Sequence, residues 1–430
     1  MTPASYVAER CTSRAELVRR QRDKLGTMLN EVRARNPFQR ARLGDIAFDA
    51  QRDPLSVLPL TTRAELQADQ AAHPPYGTNL TYPLVRYARY HQTSGTSGTP
   101  LRWLDTCESW TWWRRCWQQI FRAADVTVGE RIVFPFSFGP FIGFWAAFEA
   151  AAELGNMCLP AGGMSTAARL RYILDNAVSV VCCTPTYALR MAERARADGI
   201  DLAGSAVRAL IVAGEPGGSV PAIRGLIESA WGARVYDHVG MTEIGAWGFE
   251  ATAEPGVIRI LESEFIAEVI DPASGAPVAE GGAGELVLTN LGRWGSPLIR
   301  YRTGDRVRLE VPEDGGDTPF ARIAGGVAGR VDDMLYIRGN NVFPSAVEGI
   351  IRGCAGVAEF RLRVRRRDAM DELAIEIEPE ADADGDGLTG RVAAAVRDLL
   401  HFSAPVVAVA PGTLARFEMK AQRVIRELEE

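Results

Sequence analysis

The chain lacks the marks of several large protein classes. Its seven cysteines include no C-x-x-C pair and follow no regular spacing, which argues against structural zinc and against a disulfide framework. Cys182 and Cys183 stand side by side in an apolar run and read as small buried hydrophobes. The four histidines, His73, His91, His238 and His401, are scattered. There is no basic excess: 48 Lys and Arg face 54 Asp and Glu, a net charge of −6, so sequence-independent nucleic-acid binding is not expected. The N-terminus carries Glu9, Arg10 and Arg14 rather than an apolar stretch, unlike a signal peptide. The longest apolar region, residues 132–159, is broken by Pro135, Pro140, Glu149 and Glu153, and reads as core or pocket wall rather than a membrane span. A reduced, cytoplasmic protein without a membrane or nucleic-acid partner is the expectation.

What is present is ordinary globular composition, 47% hydrophobic and 24% charged over 430 residues, enough for two or three domains. The most informative stretch is Thr93, Ser94, Gly95, Thr96, Ser97, Gly98 and Thr99, seven glycine or small hydroxyl residues closed by Pro100. Such a loop can wrap N–H groups and hydroxyls around phosphate oxygens with no bulky side chain in the way. Flexible linkers and turns share that composition. It is not a Walker A loop, because Thr99 rather than lysine follows Gly98. A strand-like run over residues 84–90 leads in and a Trp-rich helical segment over about 108–122 follows. Strand, glycine-rich turn and helix form the setting that a phosphate loop needs.

Periodicity predicts an N-terminal helix over residues 13–43 and a helix capped by Thr62, with Glu65 three residues on. Short strand-like runs at 131–134, 178–183, 209–212 and 234–236 alternate with helical stretches such as 144–154 and 188–197, which implies a parallel sheet covered on both faces. From Ile258 the texture turns antiparallel, at 265–270 and 284–289. A last unit of strands at 360–364 and 372–377 and a helix at 391–400 suggests a small α+β domain. The run Asp382, Ala383, Asp384, Gly385, Asp386, Gly387 copies the start of a calcium loop, but its twelfth position is Ala393, so it reads as a surface loop.

Five further motifs follow in order: Gly214-Glu215-Pro216; Tyr236-Asp237-His238-Val239-Gly240-Met241-Thr242-Glu243; Tyr301-Arg302-Thr303-Gly304-Asp305; residues 329–339, opening Gly329-Arg330-Val331-Asp332; and Lys420 near the end. Each is weak alone. As an ordered set, together with Leu58-Pro59-Leu60-Thr61-Thr62, they make the chain resemble the phenylacetate–CoA ligase-like family of adenylate-forming enzymes over nearly its whole length.

That resemblance implies an α/β fold. A large N-terminal domain, residues 1–331, would hold mostly parallel, helix-covered sheets and an antiparallel β subdomain. Residues 332–430 would form a small mobile α+β domain. It implies that ATP activates a carboxylate to acyl-AMP, and that a thiol, usually of coenzyme A, then displaces AMP. Such chemistry needs phosphate charge neutralised and reactants aligned. By the same mapping Glu243 binds Mg2+, Thr242 contacts phosphate and Lys420 is the catalytic lysine. Asp305 would take the ribose diol and Arg330 would donate to ribose or phosphate. Gly214, Glu215, Pro216 and Asp237 would lie beside adenine. Asp332 would be the hinge and Gly339 would let a pantetheine arm approach. The bland readings are a helix start for Thr242-Glu243, a β-turn for Asp305, a solvated turn arginine for Arg330 and a frayed end for Lys420.

The acyl pocket is expected among Phe136, Phe138, Phe141, Ile142, Trp145, Ala213, His238 and Gly240. Such an aromatic cluster is also ordinary core; as a pocket it suits a flat aryl acid of the benzoate, anthranilate or phenylacetate type. His238 would either bond a ring substituent or be satisfied locally. The chain departs from its relatives at Thr99, where a lysine is common nearby, unless Arg102 substitutes, and at Val239, where an aromatic residue is common. Arg361, Arg363, Arg365, Arg366 and Arg367 offer a basic patch for CoA phosphates or an acidic carrier, or a solvated strand edge. An acyl carrier protein or another nucleophile as acceptor, a homodimer, a thioester hydrolase that uses no ATP and a silent acyl-binding protein stay open as alternatives.

Overall fold

A computed structural model describes residues 13–93, 99–312, 318–337, 340–367, 370–381, 383–400, 402–417 and 421–427. Its largest sheet has eight strands, in the order Arg322–Ala324, Val257–Ile260, Gly245–Glu250, Arg234–Met241, Ala209–Val212, Val180–Cys183, Arg131–Phe134 and Met157–Pro160. The last five are mutually parallel, and the first three extend the sheet antiparallel. Side chains alternate across a strand, and the burial follows. Ile132, Phe134, Val180, Cys182, Ala209 and Ile211 enter one core with the Trp-rich helix Cys107–Ala123. Val133, Val181, Cys183, Leu210 and Val212 enter the other, under the helices Thr166–Asp175, Pro185–Ala197 and Pro221–Trp231. The expected doubly covered sheet is present, and both adjacent cysteines are buried, one on each face.

A second sheet is antiparallel, Phe265–Ile270, Ala283–Asn290, Tyr301–Arg308 and Gly329–Arg330. Beyond it a six-stranded sheet, built on the long antiparallel pair Val357–Arg367 and Met370–Pro379, packs on the helices Pro344–Arg352 and Gly385–Leu400. Its core runs from Leu335 to Ala404. No helix among the described residues is long and apolar enough to cross a membrane.

Several local expectations change. The N-terminal helix is two, Arg14–Arg35 and Pro37–Leu43, because Asn36 caps the second and Pro37 opens it. The glycine-rich segment joins two strands of a hairpin, Tyr87–Gln92 and Arg102–Thr106, so a strand intervenes before the Trp-rich helix. Thr242 and Glu243 sit in a hairpin turn between Arg234–Met241 and Gly245–Glu250, not at a helix start. Asp305 lies within a strand rather than a β-turn. Gly385 to Gly387, read as loop, form the first turn of a helix. Thr62 and Glu65 form the expected capping box.

Candidate active site

The turn holding Thr242 and Glu243 is fixed from below. Arg293, fully buried, forms a bidentate pair with buried Asp105 at 2.7 Å for each bond. Its remaining nitrogen donates to the carbonyls of Thr242 (2.7 Å) and Glu243 (2.9 Å). The rings of Trp103 and Trp113 each lie 5.2 Å from the guanidinium carbon, a cation–π setting. A planar fork suits this double task in a way an ammonium does not. Sequence patterning carried no signal for the pair, since its partners stand 188 residues apart.

Above the turn lies a second residue that sequence reasoning missed. Arg63 donates to Glu243 Oε1 at 2.6 Å and to Thr93 Oγ1 at 3.2 Å. It gets there because Thr61 bridges Tyr301, through Thr61 N to the Arg300 carbonyl (2.8 Å) and Arg302 N to the Thr61 carbonyl (2.9 Å). The capped helix Arg63–Ala72 therefore starts beside the site. Thr93 closes the base of the glycine-rich loop, its N–H on the Leu101 carbonyl (2.9 Å) and its hydroxyl accepting from Leu101 N (3.0 Å). Ser94, Gly95, Thr96, Ser97 and Gly98 lie outside the described residues. Thr99 is exposed and its carbonyl accepts from Gln67. Arg102, the expected substitute cation, is exposed and donates to the Pro75 carbonyl instead. Arg63 is the cation that meets Glu243.

Burial pushes the Glu243 carboxyl above its ordinary range, against the opposing charges of Arg63, Arg330 and Arg293. Asp305 and Arg330 are antiparallel register partners, and Arg330 donates to the Thr303 carbonyl at 3.4 Å. Asp305, Arg330, Glu243 and Arg63 all act electrostatically on buried Tyr301. A hard carboxylate at such a place fits Mg2+, which is commonly held by one or two carboxylates plus substrate phosphates.

Gly214, Glu215 and Pro216 follow the C-terminal end of the strand Ala209–Val212, the edge where open α/β sheets bind ligands. Asp237, at the same end of the next strand, is buried and accepts from Ser219 Oγ at 2.6 Å. A Cβ on Gly218 would come within 2.5 Å of the Asp237 carboxyl carbon, so only glycine allows that approach. Burial raises Asp237 to about 6 and its neighbour Glu250 to about 7, the latter opposed chiefly by Arg224.

The aromatic residues form one connected group. Phe136 meets Phe138, Phe141 and Phe144 edge-on at 5.6, 5.3 and 5.6 Å between centroids. A Cβ on Gly143, at φ +39°, would fall 1.9 Å from the Phe136 ring. Phe138 continues to Trp145 at 4.8 Å, Ile142 is buried, and Ala213 packs against the same core. Phe144 meets Trp117 at 5.8 Å, and Trp117 meets His238 at 4.3 Å. Trp117 was not among the expected pocket residues. His238 Nδ1 lies 2.7 Å from the Gly248 carbonyl, and burial lowers its pKa to about 4. The ring is thus neutral, Nδ1–H donates, and Nε2 is left as an acceptor. Gly240 sits at a bulge where a Cβ would lie 3.2 Å from that Nε2.

Lys420 and Gly339 lie outside the described residues, and Asp332 is described only as part of the short helix Val331–Asp333. Next to Lys420, Ala421 N donates to Glu215 Oε2 at 2.8 Å. Among the described side chains of the arginine-rich strand, Arg361 and Arg363 pair with Glu376, and Arg363 and Arg365 with Glu427.

The model of the AMP-binding enzyme C-terminal domain matches residues 339–427. A phenylacetate–coenzyme A ligase of Pseudomonas putida is 31% identical over 379 residues, 86% of this chain and 84% of that protein. Among solved structures, a 2-hydroxyisobutyryl-CoA ligase in the postadenylation state with 2-HIB-AMP superposes with a TM-score of 0.89 at 27% identity, covering 96% of this chain and 89% of the other. The same ligase in its thioesterification state, with 2-HIB-AMP and CoA, gives 0.71 at 28% identity, over 96% and 90%.

Proposed function

Because the chain belongs to the phenylacetate–CoA ligase family, we propose that it activates a small aromatic carboxylic acid with ATP and passes the acyl group to coenzyme A. The observation that carries this reading is that Arg63 bonds both Glu243 and Thr93 at the base of the glycine-rich loop, with the Arg330 charge acting on the same Glu243 carboxylate. A carboxylate must approach a polyanion there, and preorganised cations lower that barrier. Arg63 offsets the lysine missing at Thr99. Glu243 would hold Mg2+, which when bound supplies positive charge to phosphate oxygens. Asp305 is the ribose acceptor, Gly214 to Pro216 and Asp237 flank adenine, Thr242 contacts phosphate, and Lys420 serves the acyl carboxylate and α-phosphate.

On this reading residues 1–331 bind the reactants and residues 332–430 turn about Asp332, so that Gly339 faces the thiol in the second step. The separate core from Leu335 onward supports that division, and the higher similarity to the postadenylation state supports an adenylation-side arrangement here. The acyl group lies between the Phe136 to Trp145 aromatics and His238. Since His238 is held neutral with Nε2 as acceptor, acids with a ring N–H or O–H, of the anthranilate or hydroxybenzoate type, are favoured over plain benzoate and phenylacetate.

Pyrophosphate release with a panel of aryl acids, with and without CoA, tests this. The expected result is release that needs both acid and enzyme, fastest with the amino- and hydroxybenzoates, and aryl-CoA formation when CoA is added. Thioester cleavage without nucleotide, or no turnover at all, would remove the ligase reading.

A further inference from the structure

The two carboxylate oxygens of Glu215 face different parts of the chain. Oε1 accepts the N–H of Thr186 at 2.9 Å, in the first turn of the helix Pro185–Ala197. Oε2 accepts the N–H of Ala421 at 2.8 Å, 206 residues away in the C-terminal unit. Two residues further on, buried Arg423 donates to Thr186 Oγ1 at 3.3 Å while held by Glu348 (2.8 Å) and Glu359 (2.7 Å) of its own unit. Arg416 adds a bond to Glu193 at 3.2 Å. The residue that precedes Ala421 is Lys420.

We propose that Glu215 is a positioning residue that ties the tail bearing Lys420 to the nucleotide loop during acyl-AMP formation and must let go before the thiol attacks. The proposal rests on the ligase reading above. Glu215 belongs to the loop beside adenine, so the same backbone that would meet the nucleotide also sets where the tail lies. Ala421 belongs to the unit that turns and Glu215 to the one that stays, so this bond cannot survive the rotation. A carboxylate with an N–H donor makes a charge-assisted bond, stronger than a neutral one. Glu215 is only half-buried, so water can take the place of Ala421 N–H on release, which keeps the contact reversible. Glu215 keeps its Thr186 bond in both arrangements, which leaves the carboxylate poised for the return.

The test is Glu215→Gln in the full chain. Glutamine keeps one acceptor for Thr186 and turns an amide N–H2 toward Ala421. Four readouts are compared with wild type: pyrophosphate exchange, thioester formation from supplied acyl-AMP and CoA, AMP affinity by calorimetry, and hydrogen exchange of the Ala421 amide. We expect pyrophosphate exchange to fall about tenfold, thioester formation and AMP affinity to fall less than exchange, because Glu215 would meet adenine through its backbone, and the Ala421 amide to lose protection. An equal fall in both half-reactions, a loss of AMP affinity matching the loss of exchange, or unchanged protection at Ala421 would overturn the proposal. A wild-type chain inert toward every acid would instead overturn the ligase reading, and with it any catalytic role for this contact.

Discussion

Two buried arginines show how the two parts of this molecule differ. Arg293 lies fully inside, and its partners, Asp105, Thr242, Glu243, Trp103 and Trp113, all belong to the large N-terminal part. Arg423 is buried as well, stacked on Phe360 at 5.0 Å and paired with Glu348 and Glu359. Those partners belong to its own unit, and among the described residues its one hydrogen bond to the other part is the 3.3 Å bond to Thr186. The same residue type therefore braces the interior of one part and, in the other, sits at the seam between the two. What differs is that each keeps its charged partners on its own side, while Arg423 alone of the two adds a neutral hydroxyl acceptor, Thr186, from the other part.

The sharpest test is to remove each arginine. Arg293→Met leaves Asp105 buried without its partner, and should cost about 3–5 kcal/mol in denaturant unfolding. Arg423→Met should cost clearly less, because Glu359 keeps a second arginine, Arg352, at 2.9 Å. Equal losses would break the comparison.

The next test asks whether the fixed part is sealed from water at His238. A histidine whose pKa is lowered to about 4 in the folded state contributes stability above its ordinary pKa, and that stability is lost as pH falls from about 6.5 toward 4. Asp237 and Glu250, raised to about 6 and about 7, have the opposite sign and stabilise as pH falls through those values. They are present in both chains, so the difference between wild type and His238→Phe isolates the histidine. The wild type should lose up to about 3 kcal/mol more than the variant across that window. Parallel stability curves would show that His238 is solvated.

The smallest expected effect tests the cation above the turn. Arg63→Ala should lower acid-dependent pyrophosphate release by about ten- to a hundredfold, the size of a lost charged hydrogen bond. Arg63→Lys should restore part of it, and Arg102→Ala should change little. The reverse order would return the substitute-cation role to Arg102.

Much of the fold was legible because strands and helices have short periods. Val180 to Cys183 and Ala209 to Val212 alternate between two cores as their sequence alternates between two faces. Thr62 and Glu65 announce their helix by spacing alone. The ordered motifs name candidate site residues, Arg330 and Lys420 among them, but they carry no sign of Arg63 or Arg293. Arg63 is the first residue of its helix, and the only substitute that the sequence offered for the missing lysine was Arg102. The hairpin decided otherwise: in the strand Arg102–Thr106 the Arg102 side chain turns outward to Pro75. In the basic run from Arg361, the carboxylates that pair with Arg361, Arg363 and Arg365 arrive from other strands, which spacing along the run could not show.

Sequence by itself determined the class of architecture, the Thr62 cap and the family of the chain, because each is written within a few residues or in the order of short motifs. Only the tertiary structure decided which partners the charged side chains meet: Arg293 with Asp105, Arg63 with Glu243, and Glu215 with the Ala421 N–H. Those pairs join residues 180 or more apart along the chain. Strand order and packing bring them together, and no local period encodes a contact of that kind.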